Sequence, residues 1–190
     1  MIPTLQLGGM GRRVKGGVLT YATWNPADKG AGVTLSNSNL TMTMAAGGIA
    51  RSTIGVTSGK WYWEITRGAG VDCVAGIANS SASLTVYLGS DANGWGYIGS
   101  NGNKLNNATS AAYGSAYSSA NVIGVYLDMD AGTLEFLRGN VSQGIAYTGL
   151  TGTIFAAGGT NNSGDGQTAN FGATAFTYAP PAGSNAGLYA

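Results

Sequence analysis

Residues 51–66, Arg-Ser-Thr-Ile-Gly-Val-Thr-Ser-Gly-Lys-Trp-Tyr-Trp-Glu-Ile-Thr, constrain the fold more than any other stretch. Ser58-Gly59-Lys60 is a tight turn, because Gly59 takes the positive φ that other residues avoid. The turn feeds directly into an alternating run. Trp61, Trp63 and Ile65 fall on one face, and Tyr62, Glu64 and Thr66 on the other. Aromatic and β-branched side chains suit a pleated, half-buried surface, so this run is a core strand of an all-β domain.

From Tyr21 onward, short strands alternate with turn signals. The pattern predicts strands at 41–44, 49–54, 61–67, 73–78, 96–98, 122–128, 133–138, 153–157 and 167–171. In the long hairpin, Ile123, Val125 and Leu127 share a face that Leu134 and Phe136 meet from the partner strand. Asp130-Ala131-Gly132 makes its turn. No helical apolar period survives over 11 residues. Only 9% of the 190 residues are charged and 33 are glycine, a composition of many short strands and tight turns. The expected architecture is an antiparallel two-sheet β-sandwich over residues 20–190, preceded by a short N-terminal arm, residues 1–19.

The wording of these segments resembles the SPRY domain. Ser58-Gly59-Lys60 leading into Trp61-Tyr62-Trp63-Glu64 is similar to that family's turn and strand. Trp24-Asn25 and Leu35–Asn39 look like its opening strands, and Gly76-Ile77-Ala78 like its next core strand. Gly94-Trp95-Gly96-Tyr97 resembles its Gly-Trp-Gly-Tyr hairpin. Asn121–Phe136 resembles its long hairpin, and Asn170-Phe171-Gly172 with Phe176–Gly183 its closing strand. Two departures are local: Gly139-Asn140 stands where the family has Asn-Gly, and Ile154–Ala157 replaces a Pro-Ala-Val-type strand. The resemblance implies a concanavalin A-like jelly-roll sandwich. It also implies a non-enzymatic binding module whose partners are held by variable loops at one end.

The residues themselves exclude much chemistry. There is no histidine, so Ser-His-Asp and Cys-His machinery and histidine-ligated metals are absent. Asp128, Asp130 and Glu135 are the only closely spaced acids. They lack the single-strand pattern of sugar-cleaving sandwiches, and Asp130 is accounted for by its turn. Asp128-x-Asp130-x-Gly132 fails as a calcium loop at its fifth and twelfth positions, Gly132 and Gly139. The polar run Asn161–Gly166 reads as a plain loop. Trp95 and Tyr97 read as core rather than as a sugar-stacking platform. Cys73, the only cysteine, reads as a buried small hydrophobe. No catalytic residue, cofactor or metal is expected.

Partner contacts are expected from loops Ser80–Val86 and Lys104–Ala120, the latter presenting Tyr113 and Tyr117. The arm carries Ile2, Leu5, Leu7 and Met10 between glycines, then Arg12, Arg13 and Lys15. It reads either as a terminus laid on the sandwich or as an arm ordering on a neighbouring subunit. A net charge of +1 gives no electrostatic case for nucleic acid or an anionic membrane, and no window is long and apolar enough to insert. No secretory leader is visible, which places synthesis in a cytoplasm. The charge-poor, Gly/Ser/Thr/Asn/Ala-rich style resembles bacteriophage structural proteins. The leading expectation is therefore a virion component (tail, fibre or capsid surface) that binds other virion proteins, itself as a homo-oligomer, or a host receptor or glycan. A free-standing interaction module is the alternative, and a carbohydrate-binding or glycan-cleaving sandwich the next.

Overall fold

The structure is a computed structural model and describes residues 18–70 and 72–190. The strands are β1 (Trp24–Lys29), β2 (Val33–Ser36), β3 (Thr41–Met44), β4 (Ala50–Val56), β5 (Lys60–Arg67), β6 (Val74–Ala78), β7 (Gly94–Ile98) and β8 (Lys104–Asn106). They continue with β9 (Thr109–Ala111), β10 (Val122–Asp128), β11 (Thr133–Arg138), β12 (Val141–Tyr147), β13 (Ile154–Gly158), β14 (Gly166–Asn170) and β15 (Asn185–Ala186). No helix occurs among the described residues. One sheet runs β1-β4-β13-β6-β7-β8-β9 and the other β12-β11-β10-β5-β14-β3-β2, with β15 added in parallel to β5. The remaining pairings are antiparallel. The all-β, two-sheet sandwich read from the sequence is the architecture observed.

The core lies between the sheets. Trp63 and Ile65 of β5, Ile123, Val125 and Leu127 of β10, and Leu134 and Phe136 of β11 project from one sheet. Ile77, Tyr97, Ile154 and Ala156 meet them from the other. Tyr97 and Phe136 rings stack across the layers at 5.1 Å. Trp24 closes the far side edge-on against Phe171 at 5.1 Å, with its Nε1 donated to the Leu40 carbonyl.

β5 departs from a one-sided strand. Tyr62 and Glu64, on the face opposite Trp63, are also buried. The C-terminal segment folds back over them. Glu64 accepts the amides of Thr177 and Tyr178, each at 2.8 Å, and the Tyr62 hydroxyl at 3.2 Å, while Phe176 sits edge-on to Tyr62. A buried carboxylate needs such donors, and three are supplied. Trp61, expected in the core, is only half-buried. It lies at the strand's start, donates Nε1 to the Ser58 carbonyl, and packs on Tyr189.

The strands missed as alternating runs have local causes. β8 and β9 are short and polar, and they turn through Asn107 and Ala108, both left-handed. In β12, Gly144 at φ 84° sits in an irregular register that breaks the alternation. Gly139-Asn140, the inverted pair, still supplies two left-handed residues (φ 56° and 65°), as a tight two-residue hairpin turn requires.

Phe136→Ala removes a ring with no exposed surface that packs against the rings of Tyr97 and Tyr113. Truncation should cost about 3–5 kcal/mol. A shift of the urea midpoint without a change in slope measures it.

Candidate functional site

The outer face of the seven-stranded sheet is not bare. After β6 the chain leaves the sheet at Asn79, crosses this face and returns at Asn93. Ala82, Leu84 and Leu88 of that excursion pack on Ile49, Val74, Ala78, Ile98 and Ala157, forming a second apolar cluster. Glycine makes the close approach possible. A Cβ on Gly94 would lie 2.9 Å from Leu88, and one on Gly96 3.3 Å from the Leu88 carbonyl oxygen. Arg51 pins the excursion. Its guanidinium forks onto Asp28 at 2.8 and 2.7 Å and reaches the carbonyls of Asn79 and Ala82 at 3.1 and 2.9 Å.

Beside this covered region the face opens into a cavity of about 250 Å³. Val74, Ile98 and Leu105 form its apolar floor, and Asp72, Tyr87, Thr160, Asn161 and Asn162 its polar rim. The rim is held from below by Asp165, which is fully buried. One Asp165 oxygen accepts the Asp72 amide at 3.0 Å and the other the Thr160 hydroxyl at 2.7 Å. The Thr160 hydroxyl in turn accepts the Asn162 amide at 3.0 Å. Asp72 is oriented by the amides of Cys73 and Ser100 and by the Ser100 hydroxyl. Asn161 and Asn162 are exposed, and the Asn161 Oδ1 lies close over Gly47, 2.6 Å from where a Cβ there would stand.

The cavity is smaller than the ~300–1,000 Å³ of small-molecule sites. Among the described residues, no three His, Cys, Asp or Glu side chains are grouped to hold a metal. Cys73, just beneath the rim, is buried with Sγ 2.6 Å from the side-chain Oε1 of Gln167, and burial pushes its thiol up to about 12. Asp128 is committed to Lys60 at 3.2 Å and to the turn amides of Asp130 and Ala131, and Glu135 pairs opposite Tyr126 rather than with it.

The tyrosines expected to face a partner turn inward. Tyr117 is 2% exposed, so it is a core residue rather than a contact. Its hydroxyl lies 2.8 and 3.1 Å from the carbonyls of Tyr97 and Cys73, its ring packs on Tyr97, and burial raises its hydroxyl pKa. Tyr113 is half-buried with its hydroxyl fully used, donating to Gly144 and accepting the Phe136 amide. The reason is the same for both: the segment 112–121 folds down over the open end of the sandwich, and only contacts far along the chain reveal that. Tyr97 is buried and Trp95 packs against the core, as read. Arg12, Arg13 and Lys15 lie outside the described residues. Of the two expected contact loops, Ser80–Val86 belongs to the excursion, and Lys104–Ala120 contains β8 and β9. The sequence reading missed Tyr87, one residue past its loop boundary. It treated Asn161 and Asn162 as plain loop, because nothing local shows that their loop stands beside Val74.

Comparison with known proteins agrees with this frame. The SPRY domain family model matches residues 60–174. The chain belongs to the SPRY domain family. It is 32% identical over 146 residues to the ATP-dependent RNA helicase DDX1 of Xenopus laevis, covering 72% of this chain and 19% of that protein. It is 27% identical over 169 residues to Ran-binding protein 9 of Xenopus tropicalis, covering 82% of this chain and 31% of that protein. The chain thus spans a fifth to a third of the length of these relatives. The SPRY domain of human HERC1 superposes with a TM-score of 0.64 at 18% identity, over 77% of this chain and 96% of that one. The TRIM65 PSpry domain superposes at 0.63 and 14%, over 80% and 92%. At these identities the two structures establish the shared fold.

Cys73 supplies a direct check of the packing beneath the rim. The native protein should resist iodoacetamide at pH 8, because a thiol titrating near 12 is almost wholly protonated there and is shielded. Denatured protein should take one equivalent. Mass spectrometry before and after urea reads both values; rapid native alkylation contradicts the buried placement.

Proposed function

We propose that this chain is a non-enzymatic protein-interaction module, and that it takes hold of its partner at the Val74–Ile98–Leu105 cavity. The observation that carries this reading is the cavity's construction: an apolar floor, a rim of exposed polar residues, and that rim fixed from beneath by a buried carboxylate. Rigid rims around small apolar pockets are where interface energy concentrates. A relative whose name states that it binds Ran supports a binding role. The virion reading now rests on composition alone, since the relatives named above come from frogs and the solved SPRY domain from human. The free-standing interaction module is the reading favoured here.

The test is selection of short peptides from a random display library on the intact protein, followed by affinity measurement on variants. Selected peptides should bind Tyr87→Ala and Asn161→Ala at least about tenfold more weakly, the loss of ~1.4 kcal/mol. Peptides that bind both variants and the parent equally would place the interaction elsewhere.

A further inference from the structure

We infer that Arg138 is a binding site for a carboxylate of a partner protein, an Asp or Glu side chain with an apolar neighbour that covers Val141. The site shares no residue with the lining of the cavity and goes beyond the function proposed above. The other described cations are committed. Arg51 forks onto Asp28 and Lys60 meets Asp128, while Lys29, Arg67 and Lys104 donate to the carbonyls of Val33, Tyr117 and Ala146. The Arg138 guanidinium meets no acceptor among the described residues, and its Nε is buried without one. Arg138 as a whole is half-buried, so the terminal nitrogens Nη1 and Nη2 form the edge that a ligand meets. A guanidinium wedged in this way carries an uncompensated charge, and an anion at its open edge offsets that cost. The chain's own acids do not supply the anion. Glu135, three residues back on β11, lies on the opposite face of the strand, and residues 1–17 and 71 include no Asp or Glu.

The local geometry makes the guanidinium a fixed fork. Gly139-Asn140 turns β11 into β12, so Arg138 and Val141 are paired and share a face. That face is the inner one, since Arg138 also pairs with the core residue Ile123 on β10. Arg138 therefore sits at the end of the sandwich beside Tyr97. Burial raises the Tyr97 hydroxyl pKa and Arg138 draws it back, as a cation near a phenol does. Tyr97 donates its hydroxyl to the Ser115 carbonyl, and Ser115 gives its amide to the Gln143 Oε1 at 2.9 Å, so the segment 112–121 is tied to both Tyr97 and β12 around the site. Val141, 65% exposed, is an apolar shelf next to the cation. A planar guanidinium already held at Nε loses little further freedom when it takes a carboxylate end-on through its two terminal nitrogens. A single cation suits a singly charged carboxylate better than a phosphate. Arg67 and Lys104, the described cations on neighbouring elements, are turned onto carbonyls.

The experiment titrates the full chain with an end-blocked peptide, Gly-Leu-Asp-Gly, and with its Gly-Leu-Asn-Gly counterpart, reading the Arg138 side-chain and Val141 methyl signals by NMR. The Asp peptide should shift both signals saturably, and less tightly in high salt; the Asn peptide should bind at least about tenfold more weakly. Arg138→Lys, which keeps the charge and loses the fork, should weaken the Asp peptide. Val141→Ser should weaken it while leaving the binding of acetate unchanged. Both variants should keep the parent's urea midpoint, because the guanidinium makes no bond to the described chain and Val141 is exposed. No saturable shift at Arg138, or equal binding of the Asp and Asn peptides, overturns the inference. Inorganic phosphate binding at Arg138 more tightly than acetate overturns the carboxylate assignment. Tyr87→Ala should leave the Asp peptide's affinity unchanged; a loss there would put the peptide in the cavity and overturn the inference. The cavity reading stands or falls separately, on the library-selected peptides.

Discussion

β5 must be covered on both faces, and the molecule is arranged to do so. Its inner face, Trp63 and Ile65, needs the opposite sheet, as any apolar face does. Its outer face carries Tyr62 and Glu64, and a carboxylate there can be buried only if donors come to it. The C-terminal segment brings two amides, from Thr177 and Tyr178, and lays Phe176 on Tyr62. The same segment then adds β15 to β5 and pairs its last residues with Thr20 and Ala22. One acidic side chain therefore ties the beginning, middle and end of the domain to a single strand. Charge-assisted bonds of this kind are stronger than neutral ones.

The opposite sheet solves a different problem. Its outer face is covered only in part, by the 79–93 excursion that glycines admit and Arg51 pins. Part of the uncovered remainder is the cavity. Its rim belongs to segments that pay no part in covering β5, so that surface is free to differ in sequence while the frame is kept. This division suits a binding module, in which a stable scaffold positions loops.

Much of the frame was legible in the sequence. Alternation alone placed β5, β10 and β11, because their period-two pattern persists over six to eight residues. The buried state of Glu64 was not legible: two of its three donors, the amides of Thr177 and Tyr178, lie more than a hundred residues away. The site was least legible. Tyr113 and Tyr117 look like exposed loop tyrosines, and only the fold of segment 112–121 over Tyr97 turns them inward. Asn161 and Asn162 look like filler, and only the β13–β6 pairing brings their loop to Val74. Periodicity reports which way a side chain points within its own strand; it does not report what another strand's loop places above it.

The dependence of the closed sandwich on Glu64 is open to a direct measurement. Amide hydrogen exchange in Glu64→Gln, which keeps the shape and removes the charge, reads the strap residue by residue. Losing charged acceptors worth about 1.5–3 kcal/mol should speed exchange at Thr177 and Tyr178 by roughly 10–100-fold. Gly187 and Leu188 should follow, while Val125 and Phe136 in the core keep most of their protection. Unchanged protection at Thr177 and Tyr178 would show that the strap is held without Glu64 and would contradict this account.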